Sequence, residues 1–166
     1  MSKIPFFGLD RQYRNLKDEL LSATDDALKN GILMNGEFTD RFEVWLANKT
    51  NYQYALTVHS GTQALEIIAR YYRAYFYSVT KIRLPNLTYV ATLNAFLNTG
   101  WDVELVDTDK NGLAIIDTEE DIDRFVCLVG LYGANPNSTN SLTATIADGA
   151  QHWLVADNEY DAMAIS

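Results

Sequence analysis

Apolar residues recur along this chain in two rhythms, and the switching between them predicts its elements. From Asp10 to Asn30, Leu16, Leu20, Ala23 and Ala27 fall at helical spacing, and Gly31 follows as a stop. Asn35-Gly36 marks a turn, after which Phe38, Phe42, Trp45 and Leu46 trace a second helix. YALTV, from Tyr54 to Val58, has the character of a short strand, and an amphipathic helix from Gly61 to about Tyr77 follows it. KIRLP is a short strand closed by Pro85, Thr88 to Asn98 reads as a helix ended by Gly100, and DVELV is a strand again. Thr118-Glu119-Glu120-Asp121 has the form of a capping box opening a short helix. RFVCLVG and LTATIAD are two more strands with a buried look.

Strands that alternate with helices, and that are apolar runs without clean alternation, predict a mostly parallel sheet covered on both faces, a three-layer α/β/α arrangement. The chain shows no internal repeat and no linker, only a polar loop, YGANPNSTNS, from Tyr132 to Ser141. A single domain over residues 1–166 is expected. In such sheets ligands sit beyond the carboxyl ends of the strands, where Ser60-Gly61-Thr62 and Asp148 are expected to fall.

The Ser60-Gly61-Thr62 stretch admits two readings. A hydroxyl oxygen there would cap the free N–H groups of the first helical turn, with Gly61 easing the corner. Alternatively, the same N–H groups and the helix dipole would receive an anion such as a phosphate. The local letters leave both open.

Composition narrows the function. A content of 48% hydrophobic and 12% aromatic residues over 166 positions argues for a folded globule with a real core. The net charge of −9 is unevenly placed: residues 101–166 hold two basic and thirteen acidic side chains, a local balance of −11. Such a surface repels a phosphate backbone, so nucleic-acid binding is not expected; a basic partner surface for the acidic third is the alternative to a plain solvated face. No apolar run reaches the roughly 18 residues that span a bilayer, so no membrane partner is expected. The single cysteine, Cys127, lies in an apolar run and reads as a small buried hydrophobe, and a cytoplasmic protein is the default.

Several motifs are absent or fail. Asp107, Asp109, Asn111 and Gly112 sit at calcium-loop positions, but Thr118 stands where the bidentate Glu belongs, and a strand precedes the loop. His59 and His152 are the only histidines, and nothing is spaced to complete a zinc site. No G-x-S-x-G, G-x-G-x-x-G or Walker lysine is present.

Six segments nevertheless fall in a telling order: IPFFGLDRQYRNLKDEL, NGEFTDRFEVWLA, ALTVHSGTQAL, LPNLTYVATLNAFLNTG, LVGLYG and IADGAQHW. Together they resemble the DegT/DnrJ/StrS-type sugar aminotransferases, pyridoxal-phosphate enzymes of fold type I, and the resemblance covers essentially the whole chain. It implies an α/β fold like the large domain of those transferases. It also implies a pyridoxal 5'-phosphate cofactor, a nucleotide-linked keto sugar and an amino-acid amine donor as substrates, and a homodimer. By the same resemblance Gly61 and Thr62 would cradle the phosphate, which would settle the two readings in favour of the anion site. Tyr89 would stack on the cofactor ring, Asp148 would pair with the pyridinium, and Gln151 would hydrogen-bond near the ring oxygen.

One departure matters. In the family a lysine forms the Schiff base with the cofactor, a few residues beyond a phosphate-contacting serine in a segment like S-F-x-x-x-K. Ser166 matches that serine and is the last residue of this sequence. The six lysines (Lys3, Lys17, Lys29, Lys49, Lys81 and Lys110) all match other regions. The resemblance therefore implies an N-terminal, truncated part of the large domain, with any cofactor held non-covalently and no transamination by this stretch alone. The competing expectation is a non-catalytic α/β interaction or regulatory module, in which the same residues merely terminate secondary structure.

Overall fold

A computed structural model of the chain describes residues 5, 7–116, 125–136, 145–152 and 160–166. Two compact units are present, Met1–Trp45 and Leu46–Ser166. The first contains helix α1, Leu9–Asn30, which stops where Gly31 turns left-handed and returns its N–H to the carbonyl of Leu28. Pairs four residues apart, Arg14–Asp10 at 2.7 Å and Lys29–Asp25 at 2.5 Å, lace its outer surface. Helix α2, Glu37–Thr50, begins in this unit and ends in the next.

The second unit is built on a sheet. Its elements run α3 (Gly61–Tyr75), β1 (Lys81–Pro85), α4 (Val90–Asn98), β2 (Asp102–Val106), β3 (Phe125–Val129), a 3-10 turn at Leu131–Gly133, β4 (Thr145–Asp148) and β5 (Ala162–Ala164). The strands lie in the order β2-β1-β3-β4-β5, and every pairing among them is parallel. Strand side chains alternate between two apolar layers, as the period of two demands. Ile82, Leu84, Phe125, Cys127 and Ile146 join Leu65, Ala69 and Tyr72 of α3 and Ala95 and Phe96 of α4 in one layer. Val126, Leu128 and Ala147 face the other way, toward Tyr160, Ala114 and Ile116. Trp101 locks the first layer: its indole N–H donates to the carbonyl of Ala69 at 3.1 Å while its ring meets Phe96 and Phe125 edge-on.

Four of the predicted helices and four of the predicted strands stand where the periodicity puts them. YALTV does not: residues 54–58 pair with no strand among the described residues, and Tyr54 and Leu56 are exposed. A strand exists only by pairing, and β-branched, apolar composition cannot specify an edge to pair with. Strand β5 was not expected, because three residues carry no period. The Thr118–Asp121 capping box lies outside the described residues, as do residues 137–141 of the polar loop. The Asp109 carboxylate is spent on its own turn, accepting from the N–H groups of Asn111 at 2.8 Å and Leu113 at 2.9 Å. These bonds, that from Leu113 first, lower its pKa. No metal-binding cluster occurs among the described residues.

Candidate functional site

The strand order reverses between β1 and β3, and a parallel sheet leaves a crevice at the carboxyl ends flanking such a reversal. A cleft of about 340 Å³ occupies that edge. Thr88 and Tyr89 follow β1, Val129, Gly130 and Leu131 close β3, Asp148, Ala150 and Gln151 close β4, and Ser166 follows β5; all nine line it.

Asp148 is the last residue of β4 and is half-buried. Its Oδ2 accepts from the hydroxyl of Thr92 at 2.7 Å, and its Oδ1 accepts from the Ala150 N–H at 3.3 Å. Thr92 is fully buried on α4, and its hydroxyl lies 3.0 Å from that of Thr88. The threonine pair, one helical turn apart, therefore fixes the carboxylate from below. Neither threonine was expected; a Thr at a core-facing position of a mostly apolar helix was the available signal. Tyr89, the N-cap of α4, projects an exposed ring at the cleft.

The start of α3 reaches the same edge by contact with the segment after β5. A Cβ added to Gly61 would lie 2.8 Å from the Ser166 Cβ and 3.2 Å from its hydroxyl, so only glycine fits this approach. Thr62 is the exposed second residue of that helix. Ser60 is the cap: its hydroxyl oxygen accepts from the Gln63 N–H at 3.2 Å, while the Gln63 side-chain oxygen accepts from the His59 N–H, also at 3.2 Å. This reciprocal cap leaves the Gly61 and Thr62 N–H groups without an intrahelical acceptor, as at any helix start. The cap thus falls on Ser60 and Gln63 and does not occupy the two N–H groups on which the anion reading rests. The helix start is not preceded by the expected strand; Ser166, not YALTV, is what brings it to the sheet edge.

Beneath the cleft, His152 is almost completely buried, and neither ring nitrogen has a hydrogen-bond partner among the described residues. Its imidazole meets the Tyr160 ring edge-on and lies against Gly130, where any Cβ would overlap it. Burial lowers the His152 pKa, against the pull of the Asp148 carboxylate. Burial likewise raises the Cys127 thiol pKa, which makes it an inert core group.

The sequence profile of the DegT/DnrJ/EryC1/StrS aminotransferase family matches residues 14–148. The chain belongs to this family. Over 100 residues it is 31% identical to a UDP-4-amino-4,6-dideoxy-N-acetyl-beta-L-altrosamine transaminase of Campylobacter jejuni, covering 60% of this chain and 26% of that protein. A family aminotransferase from Brucella abortus superposes with a TM-score of 0.78 at 18% identity, over 90% of this chain and 45% of the other. An E. coli GDP-4-keto-6-deoxy-D-mannose-3-dehydratase with bound hydrated PLP superposes at 0.66 and 22% identity, over 77% and 37%. The chain thus spans about a quarter of that relative and less than half of either solved chain.

Proposed function

We propose that this stretch holds the pyridoxal 5'-phosphate of an aminotransferase that moves an amine from an amino acid to a keto group on a nucleotide-linked sugar. The intact protein works in this reading as a cytoplasmic homodimer. One observation carries the proposal: a single cleft at the sheet's carboxyl edge gathers Tyr89, Asp148, Gln151 and Ser166, with Gly61 pressed against Ser166. Family membership and the transaminase and PLP-bound relatives support it.

The residues fit the cofactor's three demands. Gly61 and Thr62 offer free N–H groups and the helix dipole, and Ser166 a hydroxyl, for the phosphate. Tyr89 offers an aromatic face for the ring. Asp148, held from below by Thr92, offers a carboxylate to the pyridine N–H, while Gln151 stands near the ring oxygen. Bound there, the cofactor supplies an electron-withdrawing ring to the carbon that carries the transferred amine. Asp148 would hold a proton on the ring nitrogen, and Tyr89 would offer its aromatic face to the ring. In this reading the stretch by itself retains the cofactor non-covalently and does not transaminate; among the described residues no lysine lines the cleft.

Titration with pyridoxal 5'-phosphate, followed by absorbance, tests the reading. Saturable binding is expected, and Asp148→Asn, which loses a charge-assisted hydrogen bond, should weaken it about tenfold or more. Absence of saturable binding, or equal binding by folded Asp148→Asn and Tyr89→Ala, overturns it.

A further inference from the structure

Behind the cleft wall, Tyr132 stands at φ 57° and ψ 23° inside the Leu131–Gly133 turn. A bulky aromatic residue in the left-handed region is a strained choice, and it persists only where its surroundings hold it. Here the holder is visible. The Tyr132 N–H donates to the side-chain oxygen of Gln151, across nineteen positions of sequence. That donor also fixes which way the Gln151 amide points, because only its oxygen can accept. The turn so held presents Leu131 and Gly130 to the cleft, and its far end, Gly133, returns an N–H to the carbonyl of Gly130 at 3.2 Å.

We propose that Gln151 is a positioning residue: its amide oxygen latches Tyr132 in the left-handed conformation and so sets the β3 wall of the cleft. Gln151 acts on the bound ligand through this turn, in addition to any direct contact from the amide nitrogen. The claim about the ligand rests on the cofactor reading above; the claim about the latch does not.

Two readouts separate them. The first is hydrogen exchange of the Tyr132 amide by NMR. Gln151→Ala should lower its protection about tenfold or more, whereas Gln151→Glu, which keeps an acceptor oxygen, should retain it. The second is pyridoxal 5'-phosphate affinity in a double-mutant cycle with Tyr132→Gly, since glycine adopts the left-handed conformation without a latch. Gln151→Ala should cost about tenfold in the parent chain and only about two- to threefold in the Tyr132→Gly background. Unchanged amide protection in Gln151→Ala overturns the latch whatever the ligand does. Equal affinity losses in both backgrounds overturn the positioning role and leave only direct contact. Should the chain bind no pyridoxal 5'-phosphate, the cofactor reading and the ligand half of this proposal fall together, while the exchange experiment still decides the latch.

Discussion

Thr92 spends its hydroxyl hydrogen on Asp148 at 2.7 Å from a position with no solvent exposure. Thr92→Val keeps the shape and removes the donor, leaving a half-buried carboxylate oxygen short of a partner. Chemical denaturation should show a loss of about 1–3 kcal/mol, with Thr92→Ser close to the parent; equal stability of all three would show the bond to be idle. His152 offers a second test, through pH. Its folded pKa lies below the ordinary value of about 6.5, so the unfolded chain binds the proton more readily. The stability it contributes is complete above that value and is lost as pH falls through the window between the two pKa values. The denaturation midpoint of the parent should therefore fall more steeply between neutral and mildly acidic pH than that of His152→Asn; parallel pH profiles would remove His152 from the account. At this scale the sequence spoke unevenly. Asp148, Tyr89 and Gln151, which line the cleft, were picked out because they sit in matched motifs. Thr92 and the Gln151–Tyr132 bond were not, because each depends on a partner distant in sequence or on a backbone angle no letter records, and Thr88 enters only through Thr92.

Helices declared themselves better than strands. The α1 stop at Gly31 and the α4 span follow from spacing and local caps, which are properties of neighbouring letters. YALTV has strand composition yet pairs with nothing described, and AMA in β5 is too short to show any period yet completes the sheet. Pairing is a non-local decision, and β5 earns its place through three register partners on β4 and through Ser166, which it delivers to Gly61. The α3 start was readable as a cap, and there the sequence can be tested directly. Ser60→Ala should destabilise the fold by about 1 kcal/mol, and Ser60→Gly by only a few tenths, measured by urea denaturation. A cost for alanine no larger than for glycine would mean that Gln63 and His59 close the helix end without the hydroxyl.

On the scale of the molecule, apolar exposure and charge pull in opposite directions. Helix α1 buries no residue; Leu20 and Leu28 are 52% and 62% exposed, and on α3 Tyr71 and Tyr75 are 54% and 68% exposed. Exposed apolar side chains on these two helices favour self-association of the kind the proposed homodimer needs. The net charge of −9 opposes it, since two copies repel before their apolar faces meet. Salt separates the two terms, because raising ionic strength from about 0.1 M to 1 M shortens the screening length from about 10 Å to 3 Å and leaves apolar burial intact. Sedimentation velocity should therefore show association that rises with protein concentration and strengthens with salt. A partner-dependent ion pairing would weaken instead, and a monomer at every salt and protein concentration would show that these helices are not covered by a second copy of this chain.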